Sequence, residues 1–219
     1  LQQDGFVNNN ITLIGVIAGE KVFSHEVFGE GFYNFMLKAD RLSEASDVLP
    51  ITISERIIDG DNFAIGKPAY ISGQIRSYNN YVESEGRSRL VLTIFVKDFE
   101  IINLDDSDDQ FNDNPNDVYL NGYICKPPVF RTTPFGREIA DILIAVNRSY
   151  NKSDYIPCIA WGRNARFSSK LSVGDNIRIW GRMQSRAYQK KLDNGEILEK
   201  IAYEVSVSKL EPGDGEPLF

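Results

Sequence analysis

The stretch YIPCIAWGRNARFSSKLSVGDNIRIWGRMQSRAY, residues 155–188, decides the fold. Its first segment, Tyr155–Trp161, is a short apolar run of strand length. Arg163–Leu171 has room for about two helical turns and closes on Ser172-Val173-Gly174. Asn176–Tyr188 then alternates through Ile177, Ile179 and Met183, the period of a half-buried strand. Working outward, Val118–Ile124 and Glu138–Val146 read as two earlier strands. Leu198–Leu210 reads as a last one, with Ile201, Tyr203, Val205 and Val207 on one parity. Asp193-Asn194-Gly195 is a hairpin turn signal between the last two. The order is three strands, a short helix and two strands. Gly122 and Gly181 fall inside strands, where a missing side chain permits a sharp bend.

The same unit occurs twice. At an offset of 107, Leu13 matches Leu120, Gly15 matches Gly122, Phe28-Gly29 matches Phe135-Gly136, and Arg41 matches Arg148. After one inserted residue, Gly73 matches Gly181, Ser77 matches Ser185 and Leu90 matches Leu198. Two copies make a tandem pair rather than a solenoid. The element order is that of the OB fold; a β-sandwich would need about seven strands. The expected architecture is all-β: two tandem five-stranded OB-fold barrels, each with a short helix between strands 3 and 4.

Charge divides the chain. The 219 residues carry a formal net charge of −7, which by itself argues against nucleic acid. Residues 1–103 hold 9 Lys/Arg and 14 Asp/Glu, whereas 104–117 hold six Asp and no base. Residues 118–210 come to +7, and three acids follow in 211–219. We therefore expect an acidic first domain (1–103), an Asp-rich linker (104–117), a basic second domain (118–210) and an acidic tail (211–219).

The basic domain interleaves aromatics with cations where an OB fold binds oligonucleotides, on its strand 2–3 face and its 1–2 and 4–5 loops. Tyr150 follows Arg148, Tyr155 opens strand three, Trp161 closes it beside Arg163, and Tyr188 follows Arg186. Unpaired bases need flat π faces, and phosphates need cations along the same path. Residues 118–210 resemble the bacterial single-stranded DNA-binding protein family. The likeness rests on Val118–Gly122, Pro134-Phe135-Gly136, Ile144–Arg148, Ala160–Ala165, Gly174–Ile177, Gly181–Arg186 and Tyr203–Val205. It implies base stacking by Tyr150, Tyr155, Trp161 and Tyr188, with phosphate contacts from Arg148, Arg163, Arg182 and Arg186. Arg131, flanking the strand 1–2 loop, joins them more weakly, as does Arg137. The first copy has Ser43, Val48, Ser54 and Asn80 at the four aromatic positions, so it reads as a structural and assembly half. The resemblance also implies a homodimer with four OB domains. It implies an acidic tail that recruits replication or repair proteins, and work in DNA replication, repair and recombination.

Other chemistries find little footing. His25, the single histidine, sits in a loop between Ser24 and Glu26, where neighbours cannot form a triad. No P-loop, zinc motif or metal-spaced cluster is present, so no cofactor and no catalysis are expected. Cys125 and Cys158 are too few for a disulfide framework, and no run approaches the ~18 apolar residues of a membrane helix. No basic-then-apolar leader is visible, and a cytoplasmic, nucleoid-associated protein is expected. The competing reading is an OB-fold protein-interaction scaffold of a primosome-type replication-restart complex; an RNA-binding OB protein is a further one.

Overall fold

The computed structural model describes residues 8–41, 43, 45–58, 63–83, 86–102, 115–191 and 195–215. Six strands come from the first half: β1 (Asn9–Ile17), β2 (Val22–Val27), β3 (Glu30–Asp40), β4 (Ser46–Ser54), β5 (Pro68–Val82) and β6 (Arg87–Ile101). The second half repeats them as β7 (Asn116–Ile124), β8 (Val129–Thr132), β9 (Glu138–Arg148), β10 (Lys152–Trp161), β11 (Asn176–Lys191) and β12 (Ile197–Pro212). One helix, α1 (Gly162–Ser168), lies between β10 and β11.

Each half closes on itself. In the first, β1 pairs with β5, β5 with β6, β6 in parallel with β4, β4 with β3, and β3 back with β1. The second repeats this ring with β7, β11, β12, β10 and β9. Closure requires backbones to approach without side chains between them. A Cβ on Gly122 would stand 2.5 Å from the Ala145 carbonyl oxygen, and one on Gly181 would stand 2.2 Å from that of Ser206. Gly15 and Gly73 meet the same limits in the first half. Inside each ring, the alternating Ile, Leu and Val of the strands make the core.

The expected pair of five-stranded barrels with a helix in each is corrected on three points. The helix is present once: residues 55–58 after β4 form turns, and no helix occurs there among the described residues. Ile57-Ile58-Asp59-Gly60 combines β-branched, Asp and Gly residues, all poorer helix formers than the Ala165 that anchors α1 against the core. Each half also has a sixth strand, β2 or β8, paired only to β3 or β9. Finally, all twelve strands share one hydrogen-bonded sheet, because β1 pairs antiparallel with β7, Ile11 opposite Val118. β7 starts at Asn116, inside the stretch read as a linker. Most of that linker, the turn residues Asp193 and Asn194, and the tail beyond 215 lie outside the described residues.

The repeat is also longer at its end than the sequence match indicates. Ile94, opposite Ile75, corresponds to Val205, opposite Met183, an offset of 111. Leu90 therefore corresponds to Ile201, not Leu198; the extra residues lie in the β11–β12 hairpin.

Polar groups lock the halves in matched sets. Asn9 donates to the Ile75 carbonyl (2.8 Å) and accepts from the Ile75 N–H (2.9 Å). Asn116 does the same with Met183 (2.7 and 2.9 Å). Asp47, fully buried, accepts from Arg41 of its own half at 2.7 and 2.8 Å. Across the junction it accepts from Arg182 (3.0 Å) and the Ser185 N–H (2.8 Å). Asp154 is its counterpart, holding Arg148 (3.5 Å), Arg76 (3.0 Å) and the Ser77 N–H (2.8 Å). The cross-junction arginine is 76 in one set and 182 in the other, and the repeat places Gln184 and Gln74 at the reciprocal positions. Burial alone would push the Asp47 carboxyl up, but the Arg41 and Ser185 hydrogen bonds and the Arg182 charge bring it below the usual range.

Candidate nucleic-acid interface

Strand alternation sorts β10 into two faces. Asp154, Ile156, Cys158 and Ala160 point inward and are buried. Tyr155 and Trp161 lie on the opposite parity with Pro157 and are 44% and 38% exposed. The Tyr155 N–H donates to Ser77 Oγ at 2.7 Å, so the first half fixes the backbone that carries this ring. Trp161 caps the helix from an extended backbone (φ −122°), and Gly162 at φ +52° turns the chain into α1. Buried Ala165 and Ser168 then seat the helix.

Tyr150 stands at the β9–β10 hairpin tip and is 94% exposed. Tyr150 and Asn151 have φ of +62° and +54°, the left-handed pair of a tight hairpin turn. That conformation is costly for a tyrosine, and no packing in the fold compensates for it. Tyr188, 38% exposed, projects from β11 with the Arg186 guanidinium 5.9 Å from its ring centre.

The arginines are less free than their sequence positions imply. Arg148 and Arg182 hold Asp154 and Asp47. Arg186 forks onto Glu204 at 2.9 and 3.2 Å, which raises its pKa despite burial. Arg131 forks onto Asp141 at 2.9 and 3.2 Å. Arg163 is exposed, with no carboxylate partner among the described residues.

Tyr188 and Tyr150 line separate grooves. A groove of about 590 Å³ contains Tyr188 with Pro157, Lys200 and Tyr203, closed on the far side by Arg87–Leu92 of β6. A second, of about 760 Å³, contains Tyr150, Arg148 and Lys152 together with Arg76, Ser77, Tyr78 and Phe95 of the first half. Pro157 places the Tyr188 groove against the outward face of β10 that carries Tyr155 and Trp161.

Sequence reading passed over several exposed rings. Phe28 and Phe135 sit almost fully exposed at the tips of the β2–β3 and β8–β9 hairpins. Their shared Phe-Gly pair was a signal already present in the repeat. In the first half, Ser54 at the Trp161 position is buried against Glu30, while Tyr78 is 52% exposed. Both thiols are buried or partly buried and pushed up by burial, and no metal-holding cluster occurs among the described residues. No helix is long and apolar enough to cross a membrane among those residues.

The single-strand binding protein family model matches residues 115–212. The matched stretch is the second half of the chain. Its relatives include single-stranded DNA-binding protein 1 of Staphylococcus aureus, 34% identical over 104 residues. Single-stranded DNA-binding protein A of Bacillus subtilis is 33% identical over 107 residues. These matches take in 44% and 46% of this chain and 62% of each relative's length, so the chain spans less than two thirds of the proteins it resembles. In fold, the whole chain is similar to the single-stranded DNA-binding protein of Thermus aquaticus. The TM-score is 0.73, with 96% of this chain and 95% of that one covered, at 18% identity. That likeness of fold includes the first half, which the family model leaves unmatched.

Proposed function

We propose that this chain binds single-stranded DNA without sequence preference, in replication, repair and recombination, and is not an enzyme. The observation that carries this reading is the exposure of Tyr150, Tyr155, Trp161 and Tyr188 on the half that the single-strand binding protein family model matches. Bases stack on these rings. Phosphates are met by Arg163, Lys152 and the donors that Arg148, Arg182, Arg186 and Arg131 do not spend on their carboxylates; a guanidinium has five. Titration with poly-dT, read by quenching of the two tryptophans at two salt concentrations, tests the reading. Both tryptophans, Trp161 and Trp180, lie in the second half. A steep loss of affinity with salt is expected; absence of binding at low salt would refute it.

The chain acts as a homodimer presenting four such halves. The supporting surface is the outward face across β1 and β7, where Ile14, Val16 and Tyr119 are half-buried and Trp180 lies beside Tyr119, ring centres 5.2 Å apart. A mass of one chain, 24.8 kDa, in light scattering would overturn this. The acidic C-terminal segment is a docking point for replication or repair proteins in the cytoplasm, at the nucleoid. Its first acids, Glu211 and Asp214, rest on Arg178.

A further inference from the structure

We propose that the two ends of the sheet form an interaction surface for further copies of this chain, the β2 edge of one copy meeting the β8 edge of another. β2 and β8 stand at opposite ends of the strand order, and each pairs on one side only. β1 and β7 lie at its centre, so this surface is separate from the face assigned above to the homodimer. The inference does not depend on the binding reading.

Both edges have backbone groups to offer. The Phe28-Gly29 turn, at φ +50° and +77°, joins Val27 to Glu30 as a hydrogen-bonded pair. Alternation along the antiparallel ladder then turns the Glu26 N–H and C=O outward. In the other hairpin the Thr133 N–H donates to the Arg137 carbonyl at 2.8 Å, which turns the N–H and C=O of Thr132 and Phe130 outward. No further strand meets either edge among the described residues. An open edge beside exposed apolar side chains is a template for strand pairing. Val22 and Val129, Phe23 and Phe130, and Phe28 and Phe135 are matched in the repeat, and each is at least 41% exposed. The bulge at Ser24 and the Pro127-Pro128 pair keep both edges short, so the contact is weak and reversible.

Charge selects which edges meet. Residues 20–30 hold Glu20, Glu26 and Glu30 against Lys21, a net of −2. The corresponding residues 127–137 hold Arg131 and Arg137 and no acid, a net of +2. Two β2 edges would set acid against acid, and two β8 edges base against base; β2 against β8 brings opposite charges together. Glu30 and Arg131 already hold Arg56 and Asp141, which leaves the exposed Glu26 and Arg137 to meet across the contact. Such a contact is heterologous. Each added copy leaves one edge of each kind free, so the assembly grows past a dimer unless it closes into a ring.

Sedimentation velocity on the full chain without DNA, over a concentration series, tests this. A mass that rises with protein concentration at low salt and falls back in about 1 M salt is expected, where the screening length drops to about 3 Å. A mass fixed across the series would overturn the proposal. Glu26→Lys and Arg137→Glu should each weaken the association about 2–5-fold, and Glu26→Lys/Arg137→Glu should restore it. A loss in the double variant as deep as in either single one would rule out the β2–β8 contact. Thr132→Pro removes an outward donor without touching the ladder to β9, and should abolish the larger species. If its unfolding midpoint shows that it does not fold, the charge pair decides alone. Variants that associate like the wild type but bind a dT oligonucleotide less tightly would give these hairpins to nucleic acid and overturn the contact between copies.

Discussion

The two halves share a frame and differ in what they show to solvent. Asn9 and Asn116, Asp47 and Asp154, and Ser77 and Ser185 hold corresponding places and make corresponding bonds. Yet where the second half exposes Trp161, the first buries Ser54 against Glu30, and the exposed tip ring Tyr150 is matched by Ser43. The two copies share these Asn, Asp and Ser positions, whereas the cross-junction arginines, Arg76 and Arg182, have Gln184 and Gln74 as their counterparts and the outward positions of Trp161 and Tyr150 differ.

The hardest way to break this comparison is to strike the shared frame. Asp154→Ala strands Arg76 and Arg148 beside an emptied buried site and should cost about 3–5 kcal/mol in denaturant unfolding. A change within a few tenths would mean that the matched sets do not hold the halves. Asp47 adds an acid limit. Its folded pKa is depressed, so its contribution is complete above the unfolded carboxyl value of about 3.9 and disappears as pH falls through the folded one. Asp47→Asn should flatten stability against pH in that acid window, measured by thermal unfolding between pH 2 and 6; an unchanged profile would assign the acid sensitivity elsewhere.

Next in size are the outward rings. Trp161→Ala and Tyr150→Ala should each weaken oligonucleotide binding by about 1–3 kcal/mol. Tyr150→Ala should leave the unfolding free energy nearly unaltered, since alanine carries the same Cβ at φ +62° and no core space is emptied. Smallest is Arg163→Ala, expected to lower the salt slope by about 0.7 with little loss of stability, measured by titration across a salt series. A larger defect there would point to a structural role for Arg163.

Much of this comparison is legible in the sequence, because strands buried on one face carry their period in the side chains. Ile177, Ile179 and Met183 mark β11 without help, and the glycines mark the close approaches. β2 and β8 escape the same reading: every residue of both strands is exposed, so the ladder to β3 and β9 leaves no apolar period. The positions of Tyr150, Tyr155, Trp161 and Tyr188 could be read from neighbouring residues. Their groove partners could not, since Tyr78 lies 72 positions before Tyr150 and Arg89 lies 99 before Tyr188. The ties of Arg148 and Arg182 to buried aspartates are hidden for a similar reason. A guanidinium beside a turn looks the same in sequence whether it meets solvent or a carboxylate from across the junction.

The β1–β7 pairing has one more consequence. In a protein whose paired domains are separate chains, dilution pulls them apart, and each must stay self-complementary to find its twin. Here both strands belong to one polypeptide, so their meeting is unimolecular and independent of protein concentration. Scarcity cannot unpair them. A mutation on one side of the seam also alters only that side, which leaves each half free to specialise without spoiling a copy of itself.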